Sequence, residues 1–285
     1  MKPLFDPEGD AVVLKPLPTE PILSFPYMRF TDEKNIVYVS KNGRNPCEAW
    51  KMDLTTWTTN SVKIDWRLIV NAVSYHSFDF GVFRALYAVP LEIKFFQCTI
   101  NRDFIERFYQ ECLKPVKLLC VHLCKVLPDT DISTVCKAFP GVETVYLSKF
   151  PLDNWVKKLV KAKVSGLKTL NIYDSFELIV NWERRDMLAF FQAQRINFVL
   201  KLDIKTEINY HHAQHIEHVR DLEALLHGDF ISVNEQPFCV PCIHFHVRQK
   251  STDMFYMLKE TGLPSWWGCF TCCDESDSDS KYDSK

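Results

Sequence analysis

Four short stretches share one arrangement of apolar positions, apolar-x-x-apolar-x-apolar. They are Ala88–Ile93, Val116–Val121, Val142–Leu147 and Leu167–Ile172. A fifth stretch, Phe198–Ile204, alternates cleanly but does not keep the first position. Alternation of this kind predicts β-strands with one buried face. Helix-like segments follow the strands at 103–113, 131–139, 152–164, 184–194 and 211–228. Asp103, Asp131 and Asp153 stand near helix starts, where a carboxylate accepts orphan backbone N–H groups. Gly141, Gly166 and Gly228 follow helix ends, as a left-handed cap requires.

A single strand-plus-helix unit cannot bury its own apolar face, whereas stacked units bury one continuous core. The spacing therefore predicts an α/β fold: a curved solenoid of strand–helix units, with strands on one face and helices on the other. An ordinary βαβ domain with a flat parallel sheet also alternates strands and helices. Near-even spacing between strands favours the solenoid. Upstream, residues 34–46 read as a strand running into a turn at Asn42-Gly43, with residues 47–54 as its partner. Residues 62–76 read as a helix with Ile64, Leu68, Ile69, Ala72 and Val73 on one side. Four regions result: an irregular, proline-punctuated segment at 1–30, a small β/α subregion at 31–84, the solenoid at 85–262, and a Cys/Trp segment with a disordered acidic tail at 263–285.

The repeated template resembles a leucine-rich repeat. Cys124 falls eight positions after Val116, where such repeats place Asn or Cys. Phe96, Phe150 and Ser175 hold that place in the other units. The wider layout resembles the nematode F-box-associated proteins, which carry a strand–helix array and end in a strand pair like residues 243–258 here. That resemblance implies a protein-binding scaffold, with substrate recognition in ubiquitin ligation and a Skp1-like adaptor as partner. The F-box itself is not evident. Leu17-Pro18-Thr19-Glu20 is at most a remnant, since Pro21 and Pro26 interrupt any helix there.

Composition narrows the function classes. The net charge is −2, so nothing global favours nucleic acid or a membrane surface. No apolar run is long enough for a membrane helix, and no secretory signal is visible at the start. Eleven cysteines lie mostly in apolar stretches and read as small hydrophobes in a reducing compartment, cytoplasmic or nuclear. Ser276 and Ser280 each precede an aspartate by three residues, the pattern acidophilic kinases favour. The basic run at 157–163 reads as a solvated helix face.

The candidate chemistry is concentrated near the end. Seven of the nine histidines lie between 211 and 246. His211, His215 and His218 share one helix face, but His212 stands where a zincin carries its catalytic glutamate. Cys239-x-x-Cys242 and Cys269-x-x-Cys272 superficially match a two-knuckle zinc site. Ile243 and Cys273 occupy the places where a knuckle turn favours glycine. Residues 240–247 also alternate, with Cys242, His244 and His246 on one side, and read as a strand of a terminal β-hairpin turning at 248–250. The leading expectation is therefore a non-enzymatic protein–protein interaction scaffold with no catalytic residue, cofactor or metal assigned and its binding residues unknown. The alternative is a zinc-binding protein drawing on the 211–272 cluster, with Cys239, Cys242, His244 and His246 as ligands. S-acylation at Cys269, Cys272 and Cys273 is a further reading.

Overall fold

A computed structural model describes residues 23–33, 36–40, 50–53, 62–84, 86–112, 114–205, 212–237, 240–247 and 252–259. The chain opens with β1 (Leu23–Phe30), β2 (Ile36–Ser40), β3 (Trp50–Asp53) and β4 (Val62–Asn71). β2 lies antiparallel between β1 and β3, while β1 runs parallel to β4. The expected pairing of this strand with the stretch around Trp50 is thus observed, for Ile36–Val39 against Trp50–Asp53. β1 falls within the stretch expected to be irregular. The helix expected over 62–76 is instead largely the strand β4. Its apolar positions fit a helical period only because a register shift, opposite Phe25–Tyr27, breaks a period of two. Val62, Ile64, Leu68 and Val70 are all buried along it.

Helix α1 (Phe80–Arg84) and the short β5 (Tyr87–Ala88) lead into alternating strands and helices. β6 (Glu92–Phe96) and β7 (Thr99–Ile100) precede α2 (Arg102–Gln110). β8 (Leu118–His122) and β9 (Lys125–Val126) precede α3 (Ile132–Ala138). β10 (Thr144–Ser148) precedes α4 (Trp155–Lys161), and β11 (Thr169–Asp174) precedes α5 (Phe176–Ile179) and α6 (Arg184–Gln192). β12 (Val199–Ile204) is followed by α7 (His212–Leu226), β13 (Phe230–Val233), β14 (Cys242–Val247) and β15 (Thr252–Leu258). β4, β6, β8, β10, β11, β12 and β14 pair in parallel, in that order. β15 then pairs antiparallel with β14 and with β13, and β7 and β9 form a separate two-stranded sheet.

This arrangement overturns the expected curved solenoid of leucine-rich-repeat-like units. Among the described residues the fold is one large mixed sheet of thirteen strands, antiparallel at both ends, with few and mostly short helices. The even spacing that suggested a repeat is local. It holds over Glu92, Leu118, Thr144 and Thr169, which lie side by side, and then lengthens markedly at Val199 and Cys242. A minimal crossover helix sets such a spacing in any parallel sheet. The first stretch was also misaligned by two residues. Leu91 is exposed, and Ile93 pairs with Leu119. Cys98, not Phe96, is therefore the counterpart of Cys124, one residue before the paired Thr99 and Lys125.

Alternate residues of the parallel strands enter a continuous apolar core beneath the helices. Phe95 meets Phe108 of α2 at 5.1 Å between ring centroids, and Phe245 meets Phe176 of α5 at 6.1 Å. The indole of Trp155, fully buried, donates to the Ile179 carbonyl at 2.9 Å. Local caps agree with the sequence at α3, where Asp131 accepts from the Thr134 N–H, but Asn101 rather than Asp103 caps α2. At α4, Asn154 rather than Asp153 is the cap residue, and it makes no side-chain capping bond. Gly166 and Gly228 have the positive φ that a left-handed position demands. Gly141 does not share that φ and instead lies against Pro115.

Four successive strands end in the same way. Ala72, Gln97, Leu123 and Lys149 follow β4, β6, β8 and β10 with φ between 54° and 57°. The N–H of each reaches the last carbonyl region of the next strand, on Phe96, His122, Ser148 and Tyr173. Left-handed backbone costs a non-glycine residue about 1–2 kcal/mol. A hydrogen bond to the neighbouring strand offsets that cost and aligns the strand ends in one row.

One buried polar side chain ties the end of α6 to the connection between α4 and β11. Gln194 accepts from the Leu167 N–H and donates to the Val164 and Phe190 carbonyls. Gln194→Leu keeps the volume but strands those backbone groups. It should lower unfolding free energy by about 2–4 kcal/mol in urea denaturation. A loss below about 1 kcal/mol would show that water replaces the amide without penalty.

Candidate functional site

The helices cover one face of the sheet, and the side chains of the other face are mostly half-buried. Across the middle strands this open face carries Lys94, Cys120, Tyr146, Asn171 and Lys201, which lie laterally adjacent in the strand register. A second row, nearer the strand ends, carries Phe96, His122, Ser148, Tyr173 and Asp203. Phe96 and His122 stack at 5.3 Å with their planes 15° apart. A trough of about 460 Å³ runs over these rows, from Arg67 and Glu92 at one end to Asp203 at the other.

The trough has a charged end and a polar floor. Glu92 is nearly buried and accepts from Arg67 Nε at 2.6 Å, while Lys94 Nζ lies 3.0 Å from its other oxygen. Tyr146 stands 38% exposed at the lip. Ser148 is only 5% exposed, and its Oγ is buried with no hydrogen-bond partner among the described residues. A buried hydroxyl left unpaired is unfavourable, so a polar atom entering the trough gains a ready partner there. The Cys120 thiol, beside these groups, is pushed up by burial and is correspondingly unreactive.

The second cluster lies on β14 and β15. His244 and His246 are two residues apart on one strand and so share the open face. The antiparallel register sets Asp253 opposite His246 and Phe255 opposite His244. Both imidazoles converge on one carboxylate oxygen: His244 Nε2 lies 2.5 Å and His246 Nδ1 2.9 Å from Asp253 Oδ1. These contacts, that to His244 foremost, hold the Asp253 carboxyl below the ordinary carboxylate range. The His244 ring stacks on Phe255 at 4.6 Å, which fixes its orientation.

The histidines singled out from sequence do not gather in one place. His218, on α7, lies flat on Phe176 at 3.9 Å, with its Nε2 3.7 Å from Glu177. Phe176 packs on the core side of β14 through Phe245, so His218 belongs to the helix face and His244 and His246 to the open one. Cys242 shares the open face with the two histidines but is fully buried, and desolvation pushes its thiol up to about 11. It stands outside the set of donor atoms that lie within 4.8 Å of one another, which is His244, His246 and Asp253. Cys239, His211, Cys269, Cys272 and Cys273 lie outside the described residues. Sequence reasoning missed Asp253. The hairpin signal was present, but the observed register sets Val247 opposite Thr252, one residue beyond what a three-residue turn at 248–250 supplies.

Comparison with family models, curated proteins and solved structures found no match to this chain. Among the described residues no helix is long and apolar enough to cross a membrane.

The ionised Asp253 carboxylate stabilises the hairpin through two imidazole contacts. A group whose folded pKa is depressed contributes above its unfolded pKa and loses that contribution as pH falls through the folded one. Asp253 is half-exposed, so Asp253→Asn should cost about 0.5–1 kcal/mol near neutral pH. The gap to the unsubstituted protein should close in acid, below the ordinary carboxylate range. Equal destabilisation at both pH values, in urea titrations followed by circular dichroism, would contradict this role.

Proposed function

We propose that the protein is a non-enzymatic interaction scaffold whose open sheet face takes a protein partner. The observation that carries this reading is the trough across that face, with its unpartnered Ser148 hydroxyl and exposed Tyr146 lip. Seven adjoining parallel strands supply a rigid platform, because each is bonded to its neighbours and backed by the apolar core. Its side chains mix aromatic rings, amides and both charge signs. That composition suits a protein surface or an extended peptide better than an apolar small molecule. Buried free thiols at Cys98, Cys124, Cys136 and Cys242 suit a reducing compartment, cytoplasmic or nuclear.

The resemblance to F-box-associated proteins supplies the narrower form of this reading, substrate recognition in ubiquitin ligation with a Skp1-like adaptor. Its support is the layout of the chain and the terminal strand pair. The adaptor role and the scaffold role separate experimentally, because an adaptor docks on an F-box and a substrate docks on the sheet.

Cross-linking pull-downs with three forms of the chain test both. The open-face variant Tyr146→Arg/Asn171→Arg should lose most partner capture, while the helix-face variant Lys161→Glu should retain it. Equal capture by all three forms would remove the open face as the docking surface. A purified Skp1-like adaptor that fails to co-purify would remove the ligase role and leave the scaffold reading standing.

A further inference from the structure

We infer that His244, His246 and Asp253 form a binding site for a divalent transition-metal ion on the open face of β14 and β15. The site does not depend on the docking role of the trough. It shares His244 and His246 with the zinc site suggested by the sequence but replaces Cys239 and Cys242 with a carboxylate from the opposing strand.

The geometry follows from strand pairing. A His-x-His pair on one strand projects two imidazoles to the same side, and the facing residue of an antiparallel neighbour comes within side-chain reach of both. Here the donor atoms Nε2, Nδ1 and the carboxylate oxygen all lie within 4.8 Å of one another. Two of the three pairs are closer still, because the Asp253 oxygen lies 2.5 Å from His244 Nε2 and 2.9 Å from His246 Nδ1. Donors about 2.0–2.2 Å from one tetrahedral ion lie about 3.4 Å apart, so the carboxylate moves back by about 1 Å or less as the ion replaces those contacts. The ligands are already held. Backbone pairing fixes the register, and Phe255 holds the His244 ring.

The donor set defines the ion. Two imidazoles and one carboxylate suit zinc, iron(II), cobalt(II) or nickel(II), whereas calcium and magnesium require more oxygen ligands. Three protein ligands leave positions open to water, since Asp253 lies at the exposed side of the cluster. Two flanking charges bear on the site: Asp203 of β12 lies beside His246 and favours a cation, while Lys201 lies beside His244 and opposes it.

The structure also limits the affinity. His244 Nδ1 is buried and without a hydrogen-bond partner among the described residues. A metal bound at Nε2 moves the ring proton to Nδ1, where no acceptor waits. Sites lacking that supporting contact bind about 10–100-fold more weakly than supported ones. Moderate affinity is therefore expected.

The test uses the full chain, freed of metal, with zinc chloride in titration calorimetry and cobalt(II) as an optical probe. Saturable, stoichiometric zinc binding is expected, together with cobalt bands of a low-coordinate nitrogen–oxygen site and no thiolate charge-transfer band. His246→Gln and Asp253→Asn, which retain hydrogen-bonding shape, should each weaken zinc binding by about tenfold or more. Cys242→Ser should leave it unchanged. Circular dichroism confirms that each variant is folded. If a variant is unfolded, the cobalt spectrum of the unsubstituted chain decides. No saturable binding, a thiolate band, or affinity unaffected in the folded His246→Gln and Asp253→Asn proteins would overturn the site.

Discussion

A strand that gives one face to a helix layer must leave the other to solvent or to a partner. That constraint organises this molecule. Ile93, Phe95, Leu119, Val121, Val145 and Leu147 go under the helices and are essentially inaccessible. Their immediate neighbours in sequence are forced to the opposite face, where nothing from the described chain covers the trough. Burying a full-sized aliphatic or aromatic side chain stabilises by about 1.5–3 kcal/mol, so the apolar positions decide the orientation of every strand. The open-face residues inherit their placement, and their chemistry is free to serve recognition.

The strand ends show how neighbouring units are locked in register. At one end, the left-handed residues Ala72, Gln97, Leu123 and Lys149 each donate to the adjacent strand. At the other end, Glu143 receives Lys117 at 2.9 Å and Lys168 at 2.6 Å, with Arg195 more distant at 3.5 Å. The bonds from Lys168 and Lys117 hold its carboxyl well below the usual range, at about 2. These are solvent-screened pairs, so their contribution is to alignment more than to total stability. Because the strands are pinned at both ends, the trough between them keeps a defined width.

The positions of β8, β10, β11 and β12 were legible in the sequence, because alternation survives in any strand with one buried face, while β6 was placed two residues too early and the two-residue β7 and β9 were not foreseen. Helices α2, α3, α4, α6 and α7 were legible too, as helix-like segments after the strands, although of the three aspartates only Asp131 caps its helix. The architecture was not. A motif such as Val116–Val121 reports a buried strand and a crossover length, and both an open sheet and a solenoid supply those. β4 was misread because its bulge gives Ile64, Leu68 and Ile69 a helical spacing. In the terminal cluster the histidines were visible but their partner was not. Which residue faces His246 depends on the turn length, and one residue more or less changes the answer.

That dependence explains why the third donor arises at the end of the sheet and not in its middle. Parallel neighbours such as β11 and β12 bring residues together only after a long crossover, and the resulting rows are polar but mixed. The β14–β15 hairpin reverses direction within a few residues and sets an acidic side chain against the His-x-His pair. Side chains alternate with a period of two, so a slip of one residue would send Asp253 to the helix face and put Thr252 or Met254 in its place. Buried Tyr256 and Leu258 resist that slip, since it would expose both. The apolar side of β15 thus secures the position of a charged residue on its other side, and the chemistry of the open face rests on packing that it never touches.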